Sequence, residues 1–166
     1  MSKSNFETAN VQLINDNSVQ VKRKFIANKD LVYESYTKPT TLKRWLSGYS
    51  GWEMSECEME VNEGGQYSWR WRNSSENSEF GFLGKFLKVV PQQKIQHTQV
   101  FDPGSFGGDM GAEYIVTLEF SESNGSTLVT TTIQYPSKED RDLALSTGMT
   151  DGMEINYKQL DTLLKI

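Results

Sequence analysis

The sequence contains little of the chemistry on which most catalytic and metal sites depend. Its 166 residues include one cysteine, Cys57, and one histidine, His97. A single cysteine cannot form an internal disulfide, so stability has to come from packing, and this composition suits a reducing compartment. A zinc site would need carboxylates for most of its ligands, whereas typical zinc sites use several histidines or cysteines. We therefore expect no metal, no cofactor and a cytoplasmic location.

Long apolar segments and an excess of positive charge are missing as well. No apolar run approaches the ~20 residues that a membrane-spanning helix requires, and residues 1–10 lack the apolar stretch of a signal peptide. The formal net charge is −5, which argues against a general nucleic-acid binder because phosphate contacts require clustered cations. The common hydrolase, metalloprotease and phosphate-loop motifs do not occur. We expect neither a membrane span nor a nucleic-acid partner.

Aromatic residues and alternating segments are what the chain does contain. Aromatics make up 11% of the residues, and large rings bury much area per residue, so a chain of this length can build a substantial core. We interpret residues 1–17 as a polar arm or weak strand and residues 18–166 as a single domain. Strands are predicted over residues 18–26, 52–61, 66–72, 80–90, 94–101, 114–120 and 127–135. Strands joined by short turns predict an antiparallel meander.

Helix signals lie on both sides of this meander. Asn28 can cap a first helix, and Pro39 suits the first turn of a second helix that ends at Gly48. Ser137 opens a capping box after the last strand. Gly148 then predicts a break, followed by a long helix from about residue 149.

Five segments in order resemble those of a known family. They are Leu-Lys-Arg-Trp-Leu (42–46), Asn-Glu-Gly-Gly-Gln-Tyr (62–67), Gly-Lys-Phe-Leu-Lys-Val-Val-Pro (84–91), Lys-Ile followed by Thr (94–98), and Gly-Met followed by two leucines (152–163). They are similar to a Leu-Arg-Arg-Trp-Trp helix, a Gly-Gly hairpin, two consecutive strands and a final helix. Over about residues 18–166 the chain resembles the START-like (SRPBCC) superfamily, in the branch related to the activator of the heat-shock-protein-90 ATPase.

The resemblance implies an α+β helix-grip fold, in which a curved antiparallel sheet wraps around a long C-terminal helix. It also implies a cavity between sheet and helix, where members bind lipids, hormones or polyketides and a few catalyse cyclisations. The branch includes domains that bind a chaperone. The chain departs from the family pattern at Met153, where tryptophan is usual, and at His97, where an apolar residue is usual. Met153 would enlarge or soften the cavity wall, and His97 would add a polar group.

A set of inward-facing side chains is expected to line this cavity. Tyr67, Trp69 and Trp71 share one strand face and form either a core row or a cavity wall, and both can hold because core and wall are continuous. His97 is a hydrogen-bonded sheet residue, a polar anchor at the wall, or a general base. Cys57 is expected to be a small buried hydrophobe. The predicted cavity residues are Trp45, Tyr67, Trp69, Trp71, Phe86, His97, Val116, Leu118, Met149, Met153 and Tyr157.

Three surface features have alternative interpretations. Arg70 and Arg72 alternate with the aromatic row and therefore point to the opposite face, which opposes a stacking platform for single-stranded nucleic acid. Residues 103–111 form a glycine-rich loop that is either a lid or a mobile connection. A run of glutamates is either a solvated face or a charged docking surface: Glu53, Glu56, Glu58, Glu60 and Glu63.

Our main hypothesis is a non-catalytic protein that binds a small apolar or amphipathic molecule between sheet and helix. Affinity would come from apolar burial, and orientation from polar groups such as His97 or Tyr67. Two alternatives stay open. One is a protein-interaction module of the chaperone ATPase-activator type, with a chaperone or another protein as partner. The other is a cyclase- or hydrolase-like enzyme that uses the same cavity.

Overall fold

The computed structural model describes residues 7–165, which form an α+β fold with one antiparallel sheet and helices packed on it. The strands are β1 (Asn10–Ile14), β2 (Ser18–Phe25), β3 (Glu53–Met59), β4 (Gln66–Asn73), β5 (Ser78–Val90), β6 (Lys94–Asp102), β7 (Tyr114–Ser123) and β8 (Ser126–Gln134). The helices are α1 (Lys29–Thr37), α2 (Pro39–Trp45), α3 (Lys138–Ser146) and α4 (Met149–Leu164). The predicted fold class is confirmed. Of the predicted N-terminal segment, residues 1–6 lie outside the described residues.

The eight strands of the described chain are ordered β1-β2-β8-β7-β6-β5-β4-β3, and every neighbouring pair is antiparallel. Strands β3 to β8 form a meander in which each strand pairs with the next. The connection from β2 to β3 is different, because it runs through α1 and α2 to the opposite edge of the sheet. This crossover places α1 and α2 on the face where the sheet curves around α4, which we call the concave face.

The helix boundaries follow from local capping. The Asn28 side chain accepts a hydrogen bond from the Leu31 backbone N–H, and the Ser137 hydroxyl accepts one from Asp140. Gly148 has φ +80°, a left-handed conformation that suits glycine and separates α3 from α4 as predicted.

The predicted end of α2 at Gly48 is wrong, since the helix ends at Trp45. Leu46 already leaves helical geometry, at φ −91° and ψ 41°. Its carbonyl accepts a hydrogen bond of 2.6 Å from the Trp71 indole of β4 instead of continuing the helix. The carbonyl at the end of this helix is therefore satisfied by a partner 25 residues away in the sequence.

Three helices close part of the concave face. In α1, the rings of Tyr33 and Tyr36 lie 5.3 and 5.4 Å from the Phe120 ring of β7. In α4, Tyr157 packs edge-on against Phe25 of β2 at 5.6 Å. The end of α2 meets β4 through the Trp71 indole.

Strand β5 is central in the sheet but packs mainly on one side. Phe80, Phe82 and Phe86 share the concave face with the β4 aromatic row. On the other face, Leu83 and Leu87 are 37% and 45% exposed. The apolar residues on both faces of β5 therefore reflect its interior position in the sheet. They do not mark a second layer packed on the outer face.

Candidate functional site

The predicted cavity residues divide into two groups by burial. Seven are closed into the core and are at most 7% exposed: Trp45, Tyr67, Trp71, Phe86, His97, Val116 and Tyr157. Four are half-buried: Trp69, Leu118, Met149 and Met153. Trp45 stands apart from the sheet, because its indole donates to the Ser35 carbonyl at 2.8 Å and fastens α2 to α1. The structure therefore fills most of the expected cavity with side chains.

Tyr67 is placed by a glycine on the neighbouring strand. Its ring lies over Gly84 of β5, where an added Cβ would come within 2.7 Å of the Tyr67 ring and would clash with the Thr98 carbonyl oxygen. The absence of a side chain lets the Tyr67 hydroxyl cross β5 and reach β6. There it lies 2.7 Å from the Thr98 carbonyl oxygen, to which it donates, 3.0 Å from His97 Nδ1 and 3.2 Å from Gln99 Oε1. The polar network around the Tyr67 hydroxyl therefore requires glycine at position 84.

His97 is a buried, hydrogen-bonded sheet residue. Its Nδ1 lies 2.8 Å from the Thr98 carbonyl oxygen, and because a carbonyl only accepts, Nδ1 carries the proton. Burial lowers the pKa of His97 to about 4, and this effect exceeds the opposing effect of the bond to Thr98. The imidazole is therefore neutral at pH 7 and is a weak base there.

The network continues from Tyr67 towards α4. Gln99 Nε2 donates to the Tyr114 hydroxyl at 2.7 Å, and the Tyr114 ring lies 4.8 Å from that of Tyr135. The Tyr135 hydroxyl in turn donates to the sulfur of Met149 at 3.3 Å. Burial raises the pKa of Tyr114 to about 12 and that of Tyr135 well above its usual range. A row of neutral polar groups thus crosses the concave face from β4 to the start of α4.

Trp69 lies beside this row, and its indole N–H lacks a hydrogen-bond partner in the described chain. Its ring is 4.5 Å from that of Tyr67 and 6.3 Å from that of His97. The indole N–H is buried and has no hydrogen-bond partner among residues 7–165. An unpaired buried donor costs about 1–3 kcal/mol. By contrast, the Trp71 indole donates to Leu46.

A chain of rings extends from Trp71 to the surface. Trp71 stacks on Phe80 at 5.2 Å, and Trp52 lies between Phe80 at 5.2 Å and Phe106 at 6.3 Å. Phe106 is 62% exposed, and Phe101 at the end of β6 is 37% exposed. We call the inward-facing rings of β4 to β6 the aromatic half of the concave face: Tyr67, Trp69, Trp71, Phe80, Phe82 and Phe101. The sequence interpretation did not include Phe80, Phe82 and Phe101 among the cavity residues. Period-two spacing with Phe86 could have revealed the first two, and period-two spacing with His97 could have revealed Phe101.

The glycine-rich loop is attached to this half by a short 3₁₀ turn, Gly104–Phe106. The Ser105 hydroxyl donates to the Glu79 carbonyl at 3.1 Å and accepts from the Glu79 backbone N–H at 2.7 Å. These bonds place Phe106 against Trp52.

Arg23 is a second residue that the sequence interpretation missed. It occupies an inward position of β2 between Val21 and Phe25 and is only 2% exposed. Its guanidinium lies 2.7 Å from Asp161 and 3.0 Å from Glu154, both on α4. Burial alone would lower the pKa of Arg23, but hydrogen bonds and the charges of both carboxylates outweigh it and raise the pKa. A signal was present, since a lone arginine interrupts an apolar alternation and two acidic residues lie seven apart on α4.

We call this region the helix-covered half of the concave face: Arg23, Phe25, Glu154, Tyr157 and Asp161. The guanidinium also lies 5.1 Å from the Phe25 ring and 5.7 Å from the Tyr157 ring. The buried cation is therefore enclosed by two anions and two ring faces, which are the partners that a buried charge requires.

Cys57 of β3 lies opposite Trp69 in the sheet register and is half-buried. Burial raises the pKa of its thiol to about 11, and the positive charge of Lys43 opposes that rise only in part. The thiol is protonated at neutral pH and is not activated as a nucleophile.

The glutamates of β3 are partly compensated by arginines. In the register of β3 with β4, Glu53 lies opposite Arg72 and Glu56 opposite Arg70. Arg70 also binds Asp102 at 2.9 Å and Glu79 at 3.2 Å. The arginines point away from the rings, as their alternation predicted.

Two surface depressions lie away from the predicted cavity. One of about 170 Å³ is lined by Arg23, Asp161 and the end of α4, and one of about 290 Å³ is lined by Arg72, Glu79 and Ser105. Neither contains a predicted cavity residue. Within residues 7–165, no group of three or more His, Cys, Asp and Glu side chains could hold a metal ion. The described helices include none that is long and apolar enough to span a membrane.

Known proteins share this architecture. A crystal structure of a Rhodobacter sphaeroides protein is similar with a TM-score of 0.86 and 25% identity, over 95% of this chain and 97% of that one. Protein Ms6760 from Mycobacterium smegmatis aligns with a TM-score of 0.83 and 17% identity, over 95% and 97% of the two chains. Protein NE0264 from Nitrosomonas europaea aligns with a TM-score of 0.77 and 21% identity, over 92% and 97%. A comparison with curated proteins finds no significant match.

The family comparison agrees with the fold. The model of the family described as activator of Hsp90 ATPase homolog 1-like protein matches residues 27–165. That range includes both short helices, strands β3 to β8 and the final helix, so the resemblance seen in the sequence is confirmed. The chain belongs to the activator of Hsp90 ATPase homolog 1-like family, within the START-like superfamily.

Proposed function

We propose that the protein binds a small apolar molecule against the aromatic half of the concave face. The observation that carries this proposal is a set of inward-facing apolar side chains that are left half-buried: Trp69, Phe82, Met149 and Met153. In a two-layer domain, inward-facing rings are ordinarily closed by the opposite layer. Rings that stay half-buried offer apolar area to a ligand, and binding sites are mostly apolar with a few polar groups.

The placement of the helices supports this location. The backbones of the α-helices approach β2, β3, β7 and β8 most closely, and in the described chain no α-helix comes comparably near β4, β5 or β6. The short 3₁₀ turn Gly104–Phe106 packs on β5. Met149 and Met153 lie on the stripe of α4 that also carries the buried Tyr157. Flexible thioether side chains suit a pocket wall that adapts to its ligand. The ligand would therefore lie between these methionines and the middle strands.

The neutral polar row would orient such a ligand. Affinity would come from burial of apolar surface, at about 25 cal/mol per Å², reduced by the cost of association. The seven buried residues of the predicted cavity would pack behind the side chains that contact the ligand. In this proposal Trp69, Leu118, Met149 and Met153 contact the ligand.

The test blocks the proposed binding site with a larger side chain on α4. Met153→Trp places a large ring on the ligand-facing stripe, and Leu143→Trp on α3 is the matched control because Leu143 is 68% exposed. Thermal shift and native mass spectrometry with 2-acetylnaphthalene and monolaurin should show a one-to-one complex for the unaltered protein and for Leu143→Trp. Met153→Trp should lose it. If neither probe binds the unaltered protein, the proposal is wrong.

A second candidate is a protein-interaction module of the chaperone-activator type. The observation in its favour is the exposed outer end of the aromatic half, where Phe106 is 62% and Met110 is 49% exposed. Exposed aromatic residues are enriched at protein interfaces. The test is the ATPase rate of a purified chaperone of the heat-shock-protein-90 class, measured with the unaltered protein, with Phe106→Ser and with Leu143→Ser. If this candidate is correct, the unaltered protein and Leu143→Ser stimulate the ATPase equally, and Phe106→Ser stimulates it less.

The enzymatic alternative requires a base that is free to accept a proton. His97 does not meet that requirement at neutral pH, because burial lowers its pKa to about 4 and leaves the residue only 4% exposed. The protonated thiol of Cys57 does not meet it either. Binding without catalysis is therefore the function that these side chains favour.

A further inference from the structure

We infer that the ligand carries a neutral oxygen acceptor that receives the indole N–H of Trp69. This inference rests on the proposed function and names the chemistry of the ligand at that same site. Its basis is a donor that the fold buries without supplying an acceptor among residues 7–165. Buried polar groups are ordinarily paired, so an orphaned donor beside a half-open apolar surface indicates a partner from outside the chain.

The orientation of this donor is set by its neighbours. The Trp69 ring lies 4.5 Å from Tyr67, whose hydroxyl is held by Thr98, and it stands edge-on to Trp71 at 6.4 Å. Indole is a donor only, and its N–H cannot be exchanged with an acceptor by rotating a hydroxyl or flipping an amide. The direction of the N–H is therefore set by the ring packing. The atom is closed off from solvent, so a ligand reaches it only by displacing a neighbouring side chain.

The other tryptophans provide the contrast. The indoles of Trp45 and Trp71 donate to backbone carbonyls at 2.8 and 2.6 Å. Other buried polar atoms without a well-formed hydrogen bond in the described chain belong to Asn10, Tyr36 and Thr131, and the latter two lie beside the Tyr157 hydroxyl. Two of these are hydroxyls, which can rotate towards a neighbour. Trp69 is distinguished by a fixed donor on a side chain that stays half-buried.

The surroundings favour an uncharged acceptor. Arg70 is turned to the opposite face of the sheet, and Arg23 is occupied by Glu154 and Asp161. Lys43, whose charge acts on Cys57 opposite Trp69, is exposed to solvent. Burial lowers the pKa of His97 to about 4, so the imidazole beside Trp69 is neutral at pH 7. A carboxylate placed here would be buried against an uncharged donor, which costs far more than burying a neutral oxygen. A ketone, ester or ether oxygen on an apolar body fits these conditions.

The experiment compares two probes of the same shape. We would titrate the full chain, labelled with ¹⁵N, with 2-acetylnaphthalene and with 2-isopropenylnaphthalene, in which the carbonyl oxygen is replaced by a methylene group. The four indole N–H signals are assigned with Trp→Phe variants. The ketone should bind about 3- to 10-fold more tightly, the range that corresponds to one net hydrogen bond. It should also move the Trp69 indole proton downfield, and the alkene should not.

Trp69→Phe removes the donor together with part of the ring volume, so both probes should lose some affinity and then bind equally. Trp52→Phe is the matched control, because it removes an indole from the same aromatic surface and should keep the preference for the ketone. 2-Naphthoate should bind more weakly than the ketone. If the ketone and the alkene bind the unaltered protein equally, or the Trp69 signal stays in place, the inference is wrong while the proposed function stands. If neither naphthalene binds, the inference is wrong, and the proposed function is wrong as well if monolaurin also fails to bind.

Discussion

In the helix-covered half of the concave face, the guanidinium of Arg23 meets two carboxylates of α4 at 2.7 and 3.0 Å. In the aromatic half, the indole N–H of Trp69 meets no acceptor among residues 7–165. Both groups lie on the inner face of the same sheet. The first half is closed by a helix that brings charges of opposite sign, and the second is lined by rings that remain partly accessible. The comparison teaches that α4 supplies partners for the buried charge of one half, whereas the rings of the other half stay partly accessible.

The largest expected effect comes from removing the buried cation. Arg23→Ala leaves Glu154 and Asp161 facing a space without a positive charge, and breaking a buried ion pair typically costs 3–5 kcal/mol. We expect a loss of about 4 kcal/mol in the free energy of unfolding, measured in urea. Arg70→Ala is the control, since its ion pairs lie on the solvated face and should contribute at most about 1 kcal/mol.

A combined variant sharpens this prediction. Arg23→Met with Glu154→Gln and Asp161→Asn removes all three charges and should recover much of the lost stability, because no buried charge remains unpaired. Equal losses for Arg23→Ala and Arg70→Ala would contradict the view that the helix-covered half is held by this ion pair.

The second effect is a pH dependence that originates in the aromatic half. The pKa of His97 is about 4 in the folded protein against an ordinary value of 6.5, so between these values the unfolded chain binds more protons. Stability is then complete above pH 6.5 and falls as the pH decreases towards 4. A difference of this size corresponds to about 3 kcal/mol.

Urea unfolding at several pH values checks this effect, with His97→Asn as the comparison. Asparagine keeps a donor for the Thr98 carbonyl but does not titrate, so its stability should change less between pH 6.5 and 4. Identical pH profiles for the two proteins would assign the acid sensitivity to other groups.

The third effect concerns the glycine over which Tyr67 crosses. Gly84→Ala introduces a methyl group against the Thr98 carbonyl and the Tyr67 ring, and such overpacking costs about 1–3 kcal/mol. The Tyr67 hydroxyl should also lose its bonds to β6. Gly152→Ala on α4 is the matched control, because its nearest neighbour would be the Tyr49 hydroxyl at 3.8 Å. Thermal unfolding should show destabilisation only for Gly84→Ala.

The smallest effect separates two tryptophans on one strand. Trp71→Phe and Trp69→Phe remove similar volume, but only the first deprives a carbonyl, that of Leu46, of its donor. We expect Trp71→Phe to be less stable than Trp69→Phe by about 1 kcal/mol or more, because the first loses a net hydrogen bond and the second removes an unpaired buried donor. A result with Trp69→Phe as the weaker protein would show that its indole already has a partner.

Local patterns in the sequence predicted much of the fold. Alternation placed the β4 rings on one face and its arginines on the other, Asn28 and Ser137 marked helix starts, and Gly148 marked the break before α4. The predictions were less accurate where a distant residue decides the outcome. The carbonyl after α2 is bonded by Trp71. Strand β3 is shorter than predicted because turns involve Trp52 before it and Glu60 after it.

The sequence predicted which rings face the candidate site, but not which of them are buried and which stay accessible. The inward direction of Tyr67, Trp69 and Trp71 follows from the period of a strand. Which of these rings stays accessible depends on how closely the helices approach, and that distance is not encoded in any local pattern. The role of Gly84 was likewise hidden, because it depends on the Tyr67 ring of the neighbouring strand.

The sequence by itself determined the strands, the helix caps and the side of the sheet on which each ring lies, because these depend on neighbours within a few residues. Only the tertiary structure decided that Arg23 pairs with Asp161, 138 residues away, and that the Trp69 indole is left without an acceptor among the described residues. Such pairings depend on how the layers meet, and burial makes each of them energetically important because an unpaired charge or donor away from water is costly.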